Sequence, residues 1–243
     1  MTNAEQPLPN PSSHRLRVLV TGVEQAEGAH TARILAERGC RVITHSFSAD
    51  AADAVVAEIT DTGATAYPAV ADLTIETDVD RLFTGIEDRH GGLDVLIHTA
   101  WLPGPETAAH DLAGIAPADW GRFTYDHMAA LFLTTRRAAA SMQHNPIPAS
   151  ILTVSGLGTV GTSALARDAI NGAIESFTLA AARDTTLAGL RINTIRLTAE
   201  IDADVADAVP PRLDDVLDLL LGDRTLGSGH VIPAQPSYAL VPS

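Results

Sequence analysis

Short runs of β-branched and aliphatic residues alternate along the chain with longer alanine-rich stretches whose apolar positions recur at helical spacing. The short runs predict strands at Arg17–Thr21, Arg41–His45, Ala66–Ala71, Asp94–Thr99, Ser150–Ser155, Arg191–Leu197 and His230–Pro233. Helices are predicted between them, over residues 27–38, 51–61, 76–89, 118–142, 164–187 and 211–221. VLIHTA and ILTVS are apolar almost throughout, as in strands covered on both faces. Gly39 ends the first helix, and Asp72 is placed to cap the helix that begins near Glu76. The alternation predicts an α/β fold: a Rossmann-like, doubly wound parallel sheet of about seven strands with helices on both faces.

Two long segments leave the carboxyl ends of strands, Ala100–Pro117 after the fourth and Thr198–Pro210 after the sixth. Open α/β sheets bind ligands at that end, so the expected site lies beneath these segments.

The first 14 residues, MTNAEQPLPNPSSH, read as a disordered arm, leaving 15–243 as a single domain. They lack the charged and apolar regions of a signal peptide, and no apolar run is long enough to span a membrane, so the expected location is cytoplasmic. A formal net charge of -14 argues against nucleic acid or an anionic membrane as partner. All 16 basic residues are arginine. The absence of lysine rules out a Schiff base or a lysine phosphate clamp. The nine histidines show no HxxxH or HExxH spacing, so no metal site is expected. Cys40 has no cysteine partner and is assigned to the core.

After the first strand the chain reads TGVEQAEGAH, followed later by VADLT at 70–74 and LDVLIHTA at 93–100. Trp120 opens a long helix, then come ILTVSG at 151–156, RINTI at 191–195 and LGSGHVI at 226–232. In this order and spacing the segments resemble the short-chain dehydrogenase/reductase family over roughly residues 15–235. The resemblance implies a nicotinamide dinucleotide at the first turn, held by Gly22 and Gly28, with Asp72 at the adenine. It also implies a tyrosine proton donor and, four residues on, a lysine that holds the nicotinamide ribose. Here Arg167 stands at the tyrosine position and Asn171 at the lysine position. His127 replaces the family's asparagine, and the serine position falls on either Ser155 or Gly156. NNAG becomes His98, Thr99, Ala100 and Trp101.

Within TGVEQAEGAH the middle glycine of the family pattern is Ala26, and Glu24 and Glu27 bring carboxylates beside the expected diphosphate. A carboxylate ~6 Å from a diphosphate costs on the order of 1–3 kcal/mol at intermediate dielectric. The expectation is therefore a divergent family member without its redox site and without a cofactor, NAD(P) binding being the alternative.

The residues left around the expected pocket are His127, Arg167, Asn171, Ser155 and His98. Histidine can move a proton near neutral pH, and arginine can hold a carboxylate or an enolate. The leading expectation is a cofactor-independent enzyme of secondary metabolism acting on a small, polyketide-like molecule by proton transfer, cyclisation, elimination or isomerisation. A non-catalytic subunit paired with an active homologue is the first alternative, and an NAD(P)-dependent reductase with a rebuilt proton donor is the second. A homodimer or homotetramer, or a heteromer with an active relative, is expected through the long helices over 118–142 and 164–187.

Overall fold

A computed structural model of the chain describes residues 15–102, 114–143, 145, 149–156, 164–184, 187, 189–198, 211–222 and 227–236. The expected N-terminal arm, and most of the segments that follow the fourth and sixth strands, lie outside the described residues.

Seven strands form one parallel sheet in the order β3-β2-β1-β4-β5-β6-β7. They are β1 (Arg17–Thr21), β2 (Arg41–Ser46), β3 (Ala66–Val70), β4 (Val95–His98), β5 (Ala149–Ser155), β6 (Leu190–Leu197) and β7 (Val231–Ala234). The helices are α1 (Ala26–Glu37), α2 (Ala49–Asp61), α3 (Glu76–His90), α4 (Pro117–Met142), α5 (Ala164–Ala181) and α6 (Leu213–Gly222). This is the Rossmann-like sheet that the alternation predicts.

The central strands are buried on both faces, which is why they read as unbroken apolar runs. Every residue of β4 and β5 is buried. Val18 and Val20 join one apolar cluster, and Leu19 joins the cluster on the opposite face. β1 lies between β2 and β4, with Val18 level with Val42 and Val95. Sequence-adjacent connections reverse direction between β1 and β4, so the carboxyl ends of these two strands flank the cleft where such sheets take ligands.

Several element ends differ from the expected ones for identifiable reasons. Asp94 does not open β4; it is buried and takes hydrogen bonds from Arg17 N and Nε, each 2.9 Å from Oδ2. A third bond, Arg17 Nη2 to Asp94 Oδ1 at 2.6 Å, completes a lock at the amino end of the sheet. Asp72 does not cap α3, whose N-cap is Ile75. Instead, Asp72 Oδ1 accepts from Thr74 N at 2.9 Å and Thr74 Oγ1 at 2.6 Å, stabilising the turn ahead of the helix. α3 ends at Gly91, whose φ of 75° is the left-handed conformation that glycine adopts without strain. α5 ends at Ala181, six residues before the expected boundary at 187.

Candidate functional site

The turn after β1 is held by close backbone approach. Gly22 has φ +73°, and a Cβ there would lie 2.6 Å from Ala100 Cα. A Cβ on Gly28 would lie 2.3 Å from Gly22 O, so α1 can rest on the turn only because residue 28 is glycine. Gln25 N donates to Gly22 O at 3.1 Å, and Val23 N donates to His45 O at 3.0 Å. No side chain caps α1. Ala26 and Glu24 are exposed, and Glu27 is half-buried. The geometry fits a diphosphate: both glycines that shape the turn are present, and the Ala26 methyl that replaces the third is directed to the surface.

β4 is fastened to this turn from the other side. Thr21 Oγ1 accepts from Ala100 N at 3.3 Å and is hydrogen-bonded to His98 Nδ1, also at 3.3 Å. Thr99 Oγ1 donates to Thr21 O. The His98 pKa is pushed down to about 3, first by burial and then by the neighbouring His45 and His127, so the ring is neutral. His45 donates from Nε2 to Ala71 O at 3.0 Å, and burial lowers it to about 4.

His127 lies on α4, where Nδ1–H donates to Phe123 O at 2.8 Å and Nε2 accepts from Leu102 N at 3.1 Å. Both ring nitrogens are engaged, and burial holds the ring neutral. Its faces meet Trp101 and Phe123, with centroids 4.6 and 4.3 Å away. His127 thus ties the start of the segment after β4 to α4, and in this conformation it has no free nitrogen to offer a substrate.

The remaining candidates gather where β5, α5 and β6 meet. Ser155 ends β5, fully buried, and donates to Glu175 Oε1 at 2.7 Å. Arg196, level with Ser155 on β6, donates from Nε to the same oxygen at 2.7 Å and from Nη2 to Glu175 Oε2. Arg196 foremost, with help from Ser155, holds the Glu175 carboxyl below the usual carboxylate range. Asn171 Oδ1 accepts from Gly156 N at 3.0 Å. Gly156 has φ +78°, and a Cβ there would lie 1.9 Å from Leu197 O, so this position has no room for a side chain. Arg167 is half-exposed and pairs with Asp168, Nε to Oδ1 at 3.2 Å.

The expected candidates therefore fall into separate groups: His98 under the turn, His127 beneath the segment after β4, Ser155 and Asn171 at the β5 end, and Arg167 toward the surface. Glu175 and Arg196 were not among them. Their sequence signals were an acid inside an otherwise alanine-rich helix and an arginine near the end of the apolar run RINTIRL. Among the described residues no group of metal-ligating side chains occurs, and no helix is long and apolar enough to cross a membrane.

A family model described as enoyl-(acyl carrier protein) reductase matches residues 22–218. The chain belongs to the short-chain dehydrogenase/reductase family. Among SDR relatives, cis-4-hydroxycyclohexanecarboxylate dehydrogenase of Sinomonas cyclohexanicum is 30% identical over 202 residues, covering 80% of each chain. The structure is similar to that of LugOII, a promiscuous reductase catalysing keto-reduction at C1 during lugdunomycin biosynthesis. That match has a TM-score of 0.72 and 26% identity, covering 90% of this chain and 95% of the other. A metagenomic SDR crystallised with NADP shares the fold at a TM-score of 0.73 and 23% identity, covering 92% and 98% of the two chains.

Proposed function

We propose that this chain is a redox-silent SDR, which receives a nicotinamide dinucleotide at the Gly22–Gly28 turn without running the family's tyrosine–lysine proton relay. The observation that carries this reading is the use made of the lysine position. Asn171 stands there and holds Gly156 N, while Arg167, at the tyrosine position, faces Asp168. A guanidinium is charged throughout the working pH range and cannot donate a proton to a carbonyl as tyrosine does.

A bound dinucleotide would supply hydride chemistry. The chain's own residues would contribute the turn amides at its diphosphate, Asp72 near its adenine, and the wall Thr99–Leu102. Such a protein serves as a ligand-binding, non-catalytic subunit beside a second copy or an active relative. Exposed Tyr125 and Phe132 on α4 and Leu165 on α5 support association through these helices. A cytoplasmic location belongs to the same proposal.

A second reading, a reductase with a rebuilt proton donor, is favoured by the dehydrogenase and reductase activities named for the relatives. Cofactor-free proton transfer by His127 has less support, since the ring must first give up Phe123 O or Leu102 N.

Calorimetric titration with NADPH and NADH, followed by a turnover assay on cyclic ketones, separates these readings. Binding without turnover supports the proposal, turnover replaces it with the reductase, and absence of binding overturns it.

A further inference from the structure

Thr178, Glu175, Asn171 and Arg167 follow one another along a single stripe of α5, at helical spacing. Three of them mark how the helix runs beside β5. Thr178 Oγ1 meets Thr153 Oγ1 at 2.8 Å, Glu175 accepts from Ser155 at 2.7 Å, and Asn171 accepts from Gly156 N at 3.0 Å. Each turn toward the start of α5 is thus a step toward the carboxyl end of the strand, and Asn171 already meets the residue just past it. Arg167 is one turn further out, about 6 Å along the axis. Helical side chains lean toward the amino end of their helix, which carries the guanidinium onward past the strand. Arg167 therefore overhangs the carboxyl edge of the sheet, the edge on which the Gly22–Gly28 turn lies.

The Arg167 side chain is 41% exposed, and it bonds Asp168, itself 71% exposed, through Nε. An exposed pair of this kind is weak. The two Nη nitrogens have no partner among the described residues. Glu175, the other acid on the stripe, is about 12 Å away along the axis and is taken by Ser155 and Arg196. A planar fork of two N–H groups carrying a fixed charge matches a carboxylate in bidentate fashion. β5 lies two strands from β1, about 10 Å across the sheet. That spacing places the guanidinium for a ligand beside the dinucleotide and not for the diphosphate itself.

We infer that Arg167 is a specificity-determining residue, whose Nη pair holds the carboxylate of a small organic acid bound next to the dinucleotide. This inference rests on the proposed retention of dinucleotide binding and names the class of the second ligand. It gives the residue at the tyrosine position a use, recognition of a fixed negative charge in place of proton donation. Asp168 is then a competitor for the same guanidinium.

The test uses the full chain saturated with NADPH and two probes of one shape, cyclohexanecarboxylate and its uncharged amide. Calorimetric titration should show wild type taking the carboxylate about tenfold more tightly than the amide, the size of hydrogen bonds to a charged group. Arg167→Gln should lose this preference while its NADPH affinity stays that of wild type. Asp168→Asn removes the competitor and should raise carboxylate affinity up to about fivefold, with amide affinity unchanged. That arm decides where Arg167→Gln fails to fold, and there an unchanged carboxylate affinity overturns the inference. Equal affinity of wild type for the two probes, no carboxylate binding to the NADPH-loaded protein, or an undiminished preference in Arg167→Gln also overturns it, while leaving dinucleotide binding intact. Failure of wild type to bind NADPH overturns both.

Discussion

Ser155 donates its hydroxyl to Glu175 Oε1 at 2.7 Å, so the buried serine at the end of β5 is held by a partly buried carboxylate on α5. Arg196 closes on the same carboxylate from β6. A β-strand, a helix and a second strand are joined through one Glu side chain. Replacing Glu175 with Ala leaves the Ser155 hydroxyl buried without its acceptor, which costs about 1–3 kcal/mol. The half-exposed Arg196 adds little, because water takes over its hydrogen bonds. Urea denaturation should show the loss as a lower midpoint with an unchanged slope. Glu175→Gln, which keeps an acceptor for Ser155, should recover part of it.

The fold was legible because its signal is repeated: each strand carries its own apolar run, and the order of glycines, Trp120 and RINTI adds to it. The site was legible only in part. Gly22 and Gly28 could be read because backbone geometry leaves glycine no substitute at those places. The backbone contacts of His127 could not be read, for the opposite reason. A histidine on a helix carries the same letter whether its nitrogens face a ligand or backbone, and only the Phe123 and Leu102 bonds tell which. Glu175 and Arg196 meet only in the folded chain, where the β5–β6 register brings Arg196 level with Ser155.

The buried histidines should make the protein acid-sensitive in a defined window. Burial holds His45 near 4 and His98 near 3, and lowers His127, all below the value near 6.5 of a free imidazole. Below that value the unfolded chain takes up protons that the folded chain refuses, so stability falls as pH falls. The stabilisation is complete above about pH 6.5 and is lost progressively on the way down to pH 3–4, where the folded His45 and His98 rings also protonate. His45 and His98 each contribute a slope of about 1.4 kcal/mol per pH unit once the unfolded chain is fully protonated, and His127 acts in the same direction. Urea midpoints measured from pH 7.5 to 5 check this above the main carboxylate range. His98→Asn removes one of the three rings and should flatten the profile; an unchanged profile would take His98 out of it.

Glu27 should weaken nucleotide binding without affecting the fold. It is half-buried in the first turn of α1, where the helix dipole favours an anion and a bound diphosphate would be a second one. Glu27→Gln removes the repulsion, and NADPH affinity should rise up to about fivefold, the scale of a partly exposed charge pair. The gain should shrink as salt is raised, since screening already suppresses the repulsion in wild type. Calorimetry at low and high ionic strength reads both effects. A gain that is independent of salt would point to a packing change instead.

Restoring the family's tyrosine and lysine should not by itself restore reduction. Arg167→Tyr with Asn171→Lys supplies the missing pair, but it removes the Asn171 acceptor of Gly156 N, an exposed hydrogen bond that water can replace. A serine cannot be added at Gly156, where φ is +78° and a Cβ would meet Leu197 O at 1.9 Å. Ser155, the only other choice at this strand end, is held by Glu175. Gly156→Ala alone should cost about 3 kcal/mol or more from strain and overpacking together. The double variant should therefore fold with little loss of stability, since the Gly156 amide is exposed to water, bind NADPH, and reduce cyclic ketones no faster than wild type. Adding Glu175→Ala, which frees the Ser155 hydroxyl, is the step that should first bring measurable NADPH oxidation. Turnover in the double variant without that third change would show that the Glu175 contact with Ser155 is no barrier to the chemistry.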